Sequence, residues 1–206
     1  MTKTAVVTGG SGGIGAEVVS ELRSRGWEVV SLSRREGCDV SDEAQVKKAF
    51  AGLDSLDSLV HCAAELIKRP FVELSAEEWD RQVGATLRGA FLCGREAFRL
   101  MSERGGTIVM VSSLSGVYGA EKFPGMSAYV AAKSGLAGLT EALAVEGRQH
   151  GIRVNAVSPG AVDTAMLRVA GVEGPALEPA EVARFIVWLA SPESSPLSGA
   201  NLRADP

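Results

Sequence analysis

The chain has 206 residues, 46% hydrophobic and 22% charged, the mix of an ordinary folded domain. That apolar content excludes disorder, and three cysteines, an odd number without framework spacing, exclude a disulfide scaffold. A net charge of −4, from 21 Lys and Arg against 25 Asp and Glu, argues against a nucleic-acid or membrane-surface partner.

Cys38, Cys62 and Cys93 sit among apolar or small residues and read as buried reduced thiols. No C-x-x-C occurs and the two histidines lie far apart, so no metal site is expected. Met1 to Thr4 leads directly into a strand-like segment, with no room for a signal peptide before it, and no apolar run approaches the ~20 residues of a membrane span. The expected location is the cytoplasm.

Short apolar runs alternate with longer helical ones. Ala5 to Thr8 reads as a first strand ending at Gly9-Gly10. A helix follows from Gly13 to Arg25, with Ile14, Val18, Val19 and Leu22 on one face and Gly26 as its stop. Glu28 to Leu32 is the second strand, and Cys38-Asp39-Val40 a very short third. Ser41 reads as an N-cap, with Asp42 and Glu43 favourable in the turn behind it. Leu56 to Ala63 is the next strand. Ser75 opens a long helix with the capping box Ser75-x-x-Glu78 and a stripe of Trp79, Val83, Leu87, Phe91 and Phe98, ended by Gly105-Gly106. Thr107 to Val111 is a strand, Ser127 to His150 a helix with Gly151 after its end, and Ile152 to Val157 a strand broken by Pro159-Gly160. Glu178 opens a helix to Ala190, and Asn201 to Arg203 closes the pattern as a strand. Strands separated by helices predict βαβ units and a parallel sheet, in one domain spanning 1–206.

Between the first strand and first helix lies Thr8-Gly9-Gly10-Ser11-Gly12-Gly13-Ile14-Gly15. Small residues here let backbone approach a pyrophosphate, and the helix N-terminus offers free N–H groups and the positive end of its dipole. Gly15, in the first helical turn, allows close packing of helix on sheet. This strand–turn–helix context points to a dinucleotide. After the second strand stands Ser33-Arg34-Arg35. An acidic residue there would hold the ribose 2′-hydroxyl of NAD, whereas Arg34 suits the extra 2′-phosphate, so NADP(H) is favoured over NAD(H).

Tyr129 and Lys133 lie four apart in a helical stretch, which puts both on one face. An ammonium beside a phenol favours the phenolate and lowers its pKa, so such a tyrosine exchanges a proton with a carbonyl or alcohol oxygen. Ser113, at the end of the preceding strand, is placed to donate a hydrogen bond to the same oxygen. A second Y-x-x-x-K, Tyr118 to Lys122, runs into Phe123-Pro124-Gly125 and reads as a loop.

With these residues together, the chain resembles the short-chain dehydrogenase/reductase family over nearly its whole length. Thr8 to Gly15, including Gly9, Ser11, Gly13, Ile14 and Gly15, matches the family's T-G-x-x-x-G-I-G turn. Asp39-Val40 matches the acidic position that in the family holds the adenine amine, and Ala63 falls on the cofactor side of the next strand. Ser113, Tyr129 and Lys133 match the catalytic serine and Y-x-x-x-K, with Lys133 also binding the nicotinamide ribose. Pro159, Gly160, Val162 and Thr164 match the P-G-x-V-x-T segment that holds the nicotinamide carboxamide. The implied fold is α/β, a Rossmann-like doubly wound parallel sheet with helices on both faces. The implied assembly is a homodimer or homotetramer paired through the two long helices.

Four departures stand out. The family's N-A-G is replaced by Cys62-Ala63-Ala64. Thr86 takes the position of an asparagine that holds a proton-relay water, with a hydroxyl but a shorter reach. Arg35 to Cys38 is too short for the family's helix between second and third strands. Ala161 to Glu178 is short where the family carries a lid, and Glu121 to Met126 is expected to add a different pocket wall. The leading expectation is an enzyme acting on a small-molecule carbonyl or alcohol. A dinucleotide-binding or sensing protein with little turnover is the alternative; a methyltransferase shares the early pattern but leaves Tyr129, Lys133 and Pro159-Gly160 unexplained.

Overall fold

The structure is a computed structural model that describes residues 2–205. Six strands form one parallel sheet: β1 (Thr4–Thr8), β2 (Glu28–Leu32), β3 (Ser58–His61), β4 (Gly106–Val111), β5 (Ile152–Pro159) and β6 (Asn201–Ala204). Their order is β2-β1-β3-β4-β5-β6. The chain therefore steps outward from β1 to β2, then crosses back to lay β3 on the other side of β1. That reversal leaves a crevice beyond the carboxyl ends of the central strands. The parallel sheet expected from the alternation, and the doubly wound order that the resemblance implies, are the ones found.

Strand residues alternate between two apolar layers, as a sheet covered on both faces requires. Val6, Leu59, Ile108 and Val154 face α2 (Glu43–Phe50), α4 (Gly89–Met101) and α5 (Ser127–Gly147) through Val46, Leu92, Met101 and Leu136. Ala5, Val7, Val60, Val109 and Val157 face α1 (Gly13–Ser24) and α7 (Pro179–Ala190) through Val18, Leu22, Val182 and Ile186. Gly15 shows how tightly α1 seats: a Cβ there would stand 2.3 Å from the Gly9 carbonyl oxygen.

The structure corrects the sequence reading in several places. Cys38 to Val40 forms no strand; after a single 3-10 turn at Arg34–Glu36 the chain runs as a loop into α2, and β2 is the sheet's edge. Ser41 does not cap α2. Its hydroxyl is taken by Asp39 Oδ1 at 2.7 Å, and Asp42 caps instead, accepting from the Ala44 and Gln45 N–H groups. The strand expected over 56–63 is shorter, and the one expected to stop at Val157 continues to Pro159.

The capping box at Ser75 and Glu78 is present. The helix it opens is not uniform, however. It runs as α3 (Ala76–Val83), widens into a π-helical turn at Gly84–Arg88, and resumes as α4. The extra residue in the π turn rotates the buried face onto Gln82, Thr86, Ala90, Cys93 and Ala97. The expected apolar stripe is left at the margin, with Phe91 47% exposed. Between β5 and α7, where no element was expected, lies a short helix α6 (Ala165–Ala170).

Candidate active site

The turn after β1 opens into a cavity of about 390 Å³ lined by the ends of β2, β3 and β4 and by α5. Gly9, Ser11, Gly13, Ile14 and Gly15 form its floor. Gly9 and Gly13 have φ of 69° and 52°, a region glycine enters without strain. A Cβ at Gly9 would stand 2.9 Å from the Ala63 nitrogen, so the turn closes onto β3 only with glycine there. Gly12 precedes α1 without a side-chain cap, no acidic residue stands in the first turn, and a Cβ at Gly12 would meet open space. An uncapped helix N-terminus of 12 residues facing a cavity suits a diphosphate, so the residues present fit a dinucleotide.

One wall carries Arg34, Arg35, Cys38, Asp39 and Val40. Asp39 Oδ1 is engaged by the Ser41 N–H and hydroxyl, which fix the carboxylate at the cavity edge. Ala63 lies on the facing wall, its N–H donating to Thr8 Oγ1 at 3.1 Å. Arg34 reaches across to Glu65, with Nη1 and Oε2 3.4 Å apart, and Glu65 also pairs with Arg81 of α3.

Tyr129 and Lys133 stand one turn apart near the start of α5, 7% and 2% exposed. Gly116 brings the loop after β4 against this turn; a Cβ there would stand 2.6 Å from the Lys133 carbonyl carbon. Ser112 Oγ donates to the Lys133 carbonyl at 2.8 Å, and Ser134 Oγ to the Gly116 carbonyl at 3.0 Å. These clamps set Ser113 beside Tyr129, whose phenol it engages by a side-chain hydrogen bond.

The electrostatics differ from the expectation that Lys133 lowers the tyrosine. Burial raises the Tyr129 phenol above its ordinary value, and the Ser113 hydrogen bond offsets part of that rise. Lys133 Nζ donates to the Val111 carbonyl at 2.6 Å and stands 5.6 Å from the centre of the Tyr129 ring. Burial, and not the charge of Lys133, sets the direction of the phenol's shift. Burial pushes Lys133 itself down to about 8.

A second cavity of about 440 Å³ adjoins the first, and Tyr129, Ser112, Ile14, Thr164 and Met166 line both. Its walls include Ser113, Pro159, Gly160 and Val162, with Leu66, Leu114, Phe123, Met126 and Leu167 supplying apolar surface. Glu121, Phe123 and Met126 thus form the wall expected of that loop. Lys68 Nζ donates to the Ala170 carbonyl at 2.5 Å and ties the last turn of α6 over the cavity. Tyr118 is fully exposed and Lys122 bonds two loop carbonyls, so the other Y-x-x-x-K takes no part.

Thr86 departs from the expected role. It is fully buried in the π turn and lines neither cavity, although its neighbour Ala85 does. Its Oγ1 has no hydrogen-bond partner, while its carbonyl accepts from His61 Nε2 at 3.0 Å. His61 and Glu65 escaped the sequence reading. The only local signal for either was a polar residue next to the small-residue run Cys62-Ala63-Ala64. Among the described residues no cluster of His, Cys, Asp and Glu could hold a metal, and no helix is long and apolar enough to cross a membrane.

Comparison with known proteins follows the same outline. The chain is similar to cis-4-hydroxycyclohexanecarboxylate dehydrogenase of Sinomonas cyclohexanicum, 38% identical over 241 aligned positions that cover 98% of this chain and 95% of that protein. It is similar to acetoacetyl-CoA reductase of Allochromatium vinosum, 32% identical over 98% of this chain and 96% of that protein. Among solved structures, ligand-free aldohexose dehydrogenase of Thermoplasma acidophilum superposes with a TM-score of 0.90 at 28% identity, covering 99% of this chain and 92% of that one. The family described as short chain dehydrogenase matches residues 3–172. The chain belongs to the short-chain dehydrogenase/reductase family of oxidoreductases.

Proposed function

We propose that the protein is an NADP(H)-dependent oxidoreductase that interconverts a small carbonyl compound and its secondary alcohol. The observation that carries this reading is the position of Tyr129, whose side chain lines both cavities where they meet. When bound in the first cavity, the dinucleotide supplies or accepts the hydride. The chain's own groups do the rest. Tyr129 donates its phenolic proton to the carbonyl oxygen in reduction and takes the alcohol proton in oxidation. Ser113 orients that oxygen by a hydrogen bond. Lys133 binds the nicotinamide ribose and places a positive charge under the tyrosine ring.

A phenol raised by burial stays protonated at neutral pH, which suits it to the reducing direction. Arg34 and Arg35 on the cavity wall, with no acidic residue at Ser33, support a 2′-phosphate and hence NADP(H). The second cavity's apolar walls, with Ser113 and Tyr129 at their base, suit a compact ring or short-chain ketone. The names of the two curated relatives point the same way: one acts on a hydroxylated cyclohexane acid, the other on an acetoacetyl thioester. The helices α4 and α5 are the proposed faces of a homodimer or homotetramer, with Phe91 and Val145 among their exposed apolar residues.

The test is NADPH consumption against a panel of cyclohexanones and 3-oxo esters. Oxidation of NADPH at the expense of at least one ketone is expected. Tight NADPH binding with no turnover across the panel would replace this reading with that of a dinucleotide-binding protein.

A further inference from the structure

Glu65 belongs to no role so far described, yet it holds two arginines, one of which, Arg34, lines the first cavity. It follows Ala63 and Ala64, which line that cavity beyond the end of β3. Arg34 follows β2. Because β1 lies between β2 and β3 in the sheet, a contact from Arg34 to Glu65 must span the glycine turn that leaves β1. The pair is thus a strap across the opening of the dinucleotide cleft. Its two ends are unequal: the Glu65 side chain is 12% exposed and that of Arg34 63%. Arg81 on α3 holds the other carboxylate oxygen, so Glu65 is held from two sides and Arg34 is the more exposed partner.

We infer that Glu65 sets the preference between the two nicotinamide dinucleotides by competing with a 2′-phosphate for Arg34. The inference rests on the reading of Arg34 as the phosphate-binding residue. A dinucleotide with a free 2′-hydroxyl leaves the Arg34–Glu65 pair intact, closed over the adenosine half of the cleft. A 2′-phosphate draws Arg34 away from Glu65 and brings a second anion toward a carboxylate that Arg81 keeps in place. Both effects act against NADPH alone. The protein therefore discriminates less strongly for NADPH than the tandem arginines imply.

Glu65→Gln tests this, since the amide keeps an oxygen for Arg81 but removes the charge. Dissociation constants for NADPH and NADH are measured by nicotinamide fluorescence on wild type, Glu65→Gln, Arg34→Ala and the double variant, each shown folded by circular dichroism. The ratio of the NADH to the NADPH dissociation constant is expected to rise about three- to tenfold in Glu65→Gln, the range of a largely exposed ion pair with added repulsion. The rise vanishes in the double variant. Should Glu65→Gln not fold, Glu65→Asp, which withdraws the carboxylate by one methylene, is expected to raise the ratio in the same direction. An unchanged or lowered ratio in the folded variant overturns the inference. Equal losses of both dinucleotides in Arg34→Ala overturn the reading of Arg34 instead, whereas a selective loss of NADPH there with an unmoved ratio in Glu65→Gln overturns only the role of Glu65.

Discussion

His61 Nε2, on β3, donates to the Thr86 carbonyl in the π turn across 3.0 Å of fully buried space. A carbonyl only accepts, so Nε2 carries the hydrogen and Nδ1 is the acceptor for the Thr8 hydroxyl at 2.9 Å. The Thr8 oxygen in turn accepts the Ala63 N–H. One imidazole therefore links β1, β3 and the widened turn behind the cleft. Burial, helped by the charge of Lys133, pushes His61 down to about 3 and keeps it neutral.

This tautomer makes stability depend on acid. The unfolded imidazole protonates near ~6.5, while the native one stays neutral to about 3. Between these values the unfolded chain binds more protons, so stability falls as the pH drops from 6.5 toward 3, by up to roughly 1.4 kcal/mol per pH unit. Urea unfolding at pH 6.5 and 4.5 measures it. His61→Gln is expected to be less stable at pH 6.5 but to show a flatter acid slope; an identical slope contradicts the assignment.

Lys133 carries the opposite burden. At neutral pH its ammonium is charged in both states, yet in the native state burial holds it at about 8 against an ordinary 10.5. The stability this group withholds is regained as the pH rises from 8 to 10.5. Lys133→Met removes the buried charge and leaves the Val111 carbonyl without its donor, two effects of similar size, roughly 3 and roughly 1–3 kcal/mol. The melting temperature of Lys133→Met at pH 7 is expected to equal or exceed that of wild type while turnover falls by about a hundredfold or more. Loss of both together contradicts a functional reason for keeping the lysine.

The raised phenol predicts a directional pH profile. With Tyr129 protonated across neutral pH, the reduction rate is expected to stay level from pH 6 to 8, and the oxidation rate to climb with pH. Turnover numbers measured in both directions over pH 6–10 check this. A reduction rate that halves near neutral pH contradicts it.

Local signals account for what was legible in the sequence. The glycine turn, the Ser75 capping box and the Tyr129–Lys133 pair each lie within a few residues, and the strand–helix alternation gave the sheet's class. The failures were contextual. Cys38 to Val40 has strand-like residues, but the chain turns from β2 directly into α2 and offers no neighbour to pair with. Ser41 and Asp42 are both good caps, and Asp39 decided between them by taking the serine hydroxyl. The π turn inserts a residue that periodicity cannot register, so the apolar stripe was assigned to the wrong face. Glu65 and Arg34, 31 residues apart, come within reach because the sheet order sets β2 and β3 on either side of β1. The spacing of Tyr129 and Lys133 was visible, but the lysine's hydrogen bond to the Val111 carbonyl and the burial that raises the phenol were not.

The central claim is that the Tyr129 hydroxyl moves the substrate proton at the junction of the two cavities. Tyr129→Phe removes that oxygen and keeps the ring between the cavities, so NADPH binding can be measured beside turnover on the same protein. Retained NADPH affinity with ketone reduction lowered by about a hundredfold or more is the predicted result. Reduction at near wild-type rate in the folded variant would contradict it and leave the phenol without a part in the chemistry.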